Sequence, residues 1–222
     1  MRYELRLYRD DLPAQAASFR LPPGPVWALY VAGGALRVHC DALRATLGPN
    51  TALQPESTVS YSGGSLPATL LRWELVQAGA PQSLLSLEQG SSTLLLAAGM
   101  NLDPSAHWLL RCDRVDFPPG GEALTHTHRG GGIRCLLKGS IDIHTQGQQH
   151  HYAPLEPWFE AGPDPVYAAA SASEDSAFAR VMILPRELLG KSSISYVHPE
   201  DLAKPKSQRY QIFIDSPIDL PG

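Results

Sequence analysis

Two histidines one residue apart, His126 and His128, are the part of this sequence best suited to chemistry. On a β-strand, residues two apart point to the same face, so both imidazoles can reach one ion inside a barrel. Imidazole nitrogen suits a divalent transition metal such as Fe, Ni, Zn or Mn, but a stable site generally wants three protein ligands. His150 and His151, beside the Gly147 turn, read as loop surface. No Gly-x-Ser-x-Gly elbow and no His-Glu-x-x-His pattern occurs, which leaves hydrolase triads and helical zinc sites without support. The run Gly130-Gly-Gly132 is not followed by Lys-Ser/Thr, so it is no phosphate loop.

The surroundings of the pair are patterned. Gly120 precedes His126 by five intervening residues, His128 follows, and Gly139 closes the segment. This resembles the first motif of the cupin superfamily, in which a glycine, a His-x-His, a glutamate and a second glycine recur at set spacings. The resemblance implies metal binding by His126 and His128. It places the family's ligand glutamate at Gly132 and, through the region Leu155–Tyr167, the histidine of the second motif at Val166 or Pro165, so two usual ligands are missing. Glu122, which shares strand parity with the two histidines, and Tyr167 or a water are the candidates to complete the set. Arg134 has the same parity if the strand runs regularly past the glycines. Its guanidinium would then clamp a substrate carboxylate where the glutamate has been lost, or form an ion pair with Glu122, Glu160 or Asp142.

The elements that must position these groups emerge when the chain is compared with itself. Val31–His39 lies over Leu136–His144, pairing Gly34 with Gly139 at an offset of 105 residues, and Leu47-Gly-Pro49 falls on Tyr152-Ala-Pro154 at the same offset. Arg72 then matches Arg180 after a three-residue gap. Alternation in Ala35–Val38 and Ile141–Ile143, with turn chemistry at Leu47–Asn50 and Thr145–Gly147, reads as strands. Pro81–Glu88 suits a short connecting helix or a strand equally. The expected fold is all-β: two tandem cupin-type double-stranded β-helix (jelly-roll) barrels, a bicupin. Residues 1–98 form a degenerate first barrel, 99–185 the barrel with the histidines, and 186–222 a tail with an edge strand at Tyr210–Ile214. In the first copy Leu21 and Pro23 stand at the histidine positions and Trp27 at the glutamate position, where its ring would fill the cavity.

Bulk properties narrow the partners. A formal charge of −4 and a pI near 6.0 offer no broad cationic face for nucleic acid. The apolar runs are too short for a membrane helix, and the N-terminus shows no secretory signal, so a soluble, cytoplasmic protein is expected. Cys40, Cys112 and Cys135 have no C-x-x-C spacing and read as reduced, mostly buried thiols. The tail strand needs a sheet edge, on the first barrel or on a neighbouring subunit, and a homodimer is expected.

The resemblance implies a metal-dependent enzyme, dioxygenase-like or else an isomerase or lyase, acting on a small carboxylated molecule in the second barrel. The alternative is a metal-free small-molecule-binding or regulatory bicupin, in which the histidines hydrogen-bond a ligand.

Overall fold

The computed structural model describes residues 2–40, 43–55 and 59–222. Among these residues every extended element is a strand, and the only helical turns are short 3-10 turns at Arg186–Leu188 and Pro199–Leu202. No helix is long and apolar enough to cross a membrane. The chain divides into two compact units, Met1–Asp103 with Leu220–Gly222, and Pro104–Asp219.

The first unit contains β1 (Tyr3–Leu12), β2 (Phe19–Arg20), β3 (Val26–Gly33), β4 (Leu36–Cys40), β5 (Leu43–Leu47), β6 (Thr51–Leu53), β7 (Ser60–Gly63), β8 (Ala68–Gln77) and β9 (Ser91–Met100). They form two sheets, β6-β3-β8-β1-β9 and β2-β7-β4-β5. The second unit contains β10 (Trp108–Phe117), β11 (Glu122–His128), β12 (Gly132–Lys138), β13 (Ile141–Thr145), β14 (Gln148–Tyr152), β15 (Pro157–Glu160), β16 (Val166–Ala170), β17 (Ser176–Pro185), β18 (Ile194–Tyr196) and β19 (Arg209–Ile218). Its sheets, β15-β12-β17-β10-β19 and β14-β13-β16-β11-β18, repeat the first unit's order strand for strand and add β18 at one edge. Each unit is a jelly-roll barrel.

The repeat extends to backbone detail. Gly34 and Gly139 both adopt a left-handed conformation, with φ of 73° and 71°. A Cβ at Gly34 would lie 1.8 Å from the Pro67 carbonyl oxygen, and one at Gly139 2.5 Å from that of Asp175, so both turns require glycine for conformation and for room. The edge strands β9 and β19 pair antiparallel with β1 and β10, and each pairing is interrupted by an irregularity at the same place, between Leu7 and Tyr8 and between Cys112 and Asp113.

Each barrel has its own apolar interior. Leu12, Leu21, Trp27, Leu29, Leu36, Tyr61 and Leu70 are central to the first, and Val115, Phe117, Leu136, Ile141, Trp158 and Phe178 to the second. Leu21 and Trp27 therefore fill the first barrel where the second has its histidine and Gly132.

Three expectations are corrected. Residues 81–88 form neither helix nor strand, because the chain there is bridging β8 to β9. The first unit runs on to Asp103, since β9 pairs with β1 along its whole length before the chain turns. Residues 186–219 are part of the second unit: β18 pairs with β11, and β19 occupies beside β10 the place that β9 occupies beside β1. The tail strand on which a homodimer was expected is thus paired on one edge within its own barrel. Cys112 and Cys135 are buried thiols outside any disulfide, and burial pushes the Cys112 thiol far up. The Cys40 side chain lies outside the described residues.

Candidate functional site

The histidine strand β11 does not run regularly. Against β16, Ala123 faces Ala168 and His126 faces Val166, so β11 advances three residues while its partner advances two. This bulge changes the parity. Ala123, His126 and His128 point into the barrel, whereas Glu122 points out. Glu122 accepts a 2.7 Å hydrogen bond from the Tyr167 hydroxyl. Both expected supplementary ligands therefore sit together on the outer side of the sheet, away from the histidines. Tyr167 follows because it alternates with the inward Val166 and Ala168.

The bulge also presents the Leu124 carbonyl to the ring of His126, whose Nδ1 lies 2.7 Å from it. Donation from Nδ1 leaves Nε2 of the neutral ring as a lone pair aimed inward. That nitrogen is 3.2 Å from Nε2 of His128, and the two rings meet edge to face. On its far side the His128 Nδ1 approaches the Ser193 hydroxyl at 3.5 Å. Burial lowers the His126 pKa below the ordinary imidazole value. Burial first, then the Arg134 and Arg180 cations, hold that of His128 lower still. Both rings are therefore neutral at pH 7, the state in which imidazole ligates a metal.

Arg134 is fully buried, and its Nη2 lies 2.6 Å from Oε2 of Glu160 on β15. The ion-pair alternative to a substrate clamp thus describes this arginine. It also donates from Nη1 to the Gly132 carbonyl at 2.7 Å. The pair is close but poorly aligned: Arg134 Nε and Nη2 and Glu160 Oε2 are buried without a hydrogen-bond partner. The other Glu160 oxygen accepts from Trp158 Nε1 at 2.9 Å. Burial draws the Arg134 pKa down to about 10, against the raising effect of Glu160, and leaves the side chain charged at neutral pH.

Glu160 is the residue that the sequence reading placed only as a possible ion-pair partner. It lies directly across from Gly132 in the β12–β15 register. Gly132 itself cannot bear a side chain, since a Cβ there would meet the Val181 carbonyl oxygen at 2.3 Å. A carboxylate does stand at this place, from the facing strand, with Glu160 Oε2 3.5 Å from His128 Nε2. Arg180, noticed in the sequence only as a repeat landmark, makes a bidentate pair with Asp113 at 2.7 and 3.1 Å. A cavity of about 20 Å³, room for one water-sized occupant, is bounded by His126, His128, Glu160, Arg180, Trp158 and Tyr210. Among the described residues, no three His, Cys, Asp or Glu side chains are drawn together as a complete metal cage. The Nε2 atoms of His126 and His128 converge, and the Glu160 carboxylate beside them is held by Arg134.

No protein-family model matches the sequence, and no curated protein sequence matches it. Solved structures do. One of Bacillus subtilis oxalate decarboxylase, concerned with its Mn(II) centres, superposes with a TM-score of 0.60 at 10% identity, over 90% of this chain and 73% of that one. The formate complex of Lactobacillus farciminis oxalate decarboxylase gives 0.62 at 10% identity over 90% and 82%. AerE from Microcystis aeruginosa gives 0.56 at 14% identity over 83% and 88%. At these identities the likeness is one of fold, and the fold is the two-barrel cupin type.

Proposed function

We propose that the second barrel holds a single divalent transition metal through His126, His128 and Glu160, and that the protein is a metal-dependent enzyme acting on a small carboxylated molecule. The carrying observation is the convergence of two neutral Nε2 atoms, 3.2 Å apart, beside a buried carboxylate oxygen that lacks a hydrogen bond. Two imidazoles and one carboxylate on one side of an ion leave positions open, the donor set used for non-heme iron oxygen chemistry. The Mn(II) centres and the formate of the decarboxylase structures, which share the fold, support a metal and a carboxylate in such a barrel.

Bound there, the metal would supply Lewis acidity or oxygen activation to a chelated substrate. The chain's own residues do the remainder. The Leu124 carbonyl fixes the His126 tautomer, and Trp158 and Arg134 orient Glu160. Phe178, Trp158 and Val115 keep bulk water from the cavity.

A second reading has its own observation. A separation of 3.2 Å between ring nitrogens also suits a hydrogen bond, with Ser193 donating to His128 Nδ1, His128 to His126, and His126 to Leu124. In that state the barrel binds small molecules without metal.

Metal analysis of untagged protein, before and after reconstitution with Fe(II), Mn(II), Ni(II) and Zn(II), decides between them. The metal reading expects one ion per chain, lost in His126→Ala/His128→Ala and bound more weakly in Glu160→Gln, which removes a charged ligand. Metal no higher than in the double variant would establish the metal-free protein.

A further inference from the structure

The segment between β17 and β19 does more than connect them. It passes over the second barrel and, with β10 and β19, encloses a cleft of about 310 Å³, within the range of small-molecule sites. Arg180 and Tyr210 bound both this cleft and the histidine cavity. Ser193, also a wall of the cleft, touches His128 from behind. A molecule in the cleft is therefore one side chain away from the histidines.

Its charge is lopsided. Of four cations in the wall, Arg111 is matched by Asp215 at 2.9 Å and Arg180 by Asp113. Lys191 and Lys206 make no ion pair among the described residues. Lys206 donates instead to the carbonyls of Asp201 and Lys204, and its ammonium lies 4.5 Å from the Tyr196 ring centre. Two cations with no ion pair among the described residues thus line one cleft in a chain whose net charge is −4. The rest of the wall mixes Tyr196, Tyr210 and Ile212 with Ser192, Ser193 and the Arg180-paired Asp113. The amide oxygen of Gln208, a residue only 7% exposed, is buried there without a hydrogen bond.

We propose that this cleft binds a small aromatic carboxylic acid, its ring between Tyr196 and Tyr210 and its carboxylate on Lys191 and Lys206. The cleft takes over the anion recognition that Arg134, locked to Glu160, cannot provide. Its place as the substrate site rests on the metal reading given above, whereas binding itself does not.

Titration of full-length protein with naphthalene-2-carboxylate and with the matching neutral amide, followed by calorimetry and by amide chemical shifts, tests the proposal. The acid is expected to bind saturably and to shift residues of 190–196 and 206–212. The amide, and the acid with Lys191→Met/Lys206→Met, are each expected to bind about tenfold more weakly. Lys191→Met alone, at an exposed position, should show part of this loss with no change in melting temperature. Equal affinity for acid and amide, unchanged affinity in the lysine variants, or no saturable binding overturns the proposal. Metal content, measured on the same samples, separates the two readings. An acid-binding protein without metal overturns the metal centre alone, and a metal-loaded protein that ignores the acid overturns the cleft alone.

Discussion

Arg134 and Glu160 form a buried ion pair, Nη2 to Oε2 2.6 Å, in which neither atom is aligned for a hydrogen bond. Such a pair adds little net stability, but either charge left alone in the barrel is costly. Glu160→Gln should therefore destabilise the metal-free protein by about 3–5 kcal/mol, and Arg134→Met by a similar amount. The Arg134→Met/Glu160→Met double variant should recover much of that loss. Urea unfolding of the four proteins gives the coupling directly, and simple additivity of the two single losses would refute the pairing.

A second expectation concerns pH. Both imidazoles have folded-state pKa values below the ordinary value, chiefly through burial. Above about pH 6.5 the rings are neutral in folded and unfolded chains alike, and they contribute no pH dependence. Below it the unfolded chain takes up protons that the folded chain refuses, so stability falls with falling pH, by at most about 1.4 kcal/mol per pH unit for each ring. Urea unfolding of metal-depleted protein at pH 7.5, 6.5 and 5.5 measures this. A slope no shallower in His126→Gln/His128→Gln would show that other groups are responsible.

The third concerns β19. Ending the chain at Ser207 removes the strand paired with β10, the buried Ile214, and the Asp215 carboxylate that matches Arg111. The second barrel should lose more than about 4 kcal/mol and with it cooperative unfolding. Light scattering on the intact chain tests the separate expectation of a homodimer, which no longer has the tail strand's β10-facing edge as its basis. A truncated chain with an unchanged unfolding midpoint would show that β19 is dispensable to the barrel.

The barrel repeat was legible because its landmarks are chemically distinctive: a left-handed glycine at Gly34 and Gly139, and an arginine at Arg72 and Arg180. The histidine pair was legible for the same reason. Glu122 misled because strand parity assumes an unbroken strand, and nothing in Ala-Leu-Thr distinguishes a bulge from regular pairing. Glu160 stood in plain sight but acquires meaning only through register, which places it opposite Gly132. The Tyr210–Ile214 strand could be read, yet not its partner, since pairing is decided by which sheet edge stands open once the barrel has closed.

The connections that lead to the two edge strands differ in length. Residues 78–90 join β8 to β9, while residues 186–208, ten longer, join β17 to β19. The edge strands they lead to are nonetheless equivalent, each pairing with the same irregularity at the same place. The longer connection stands over the barrel that has the histidine cavity, while Leu21 and Trp27 fill the interior of the other. Changing the cleft-facing side chains of that connection, while keeping Leu188 and the β18 pairing that tie it to the barrel, should therefore alter what the cleft accepts and leave the histidine cavity as it is.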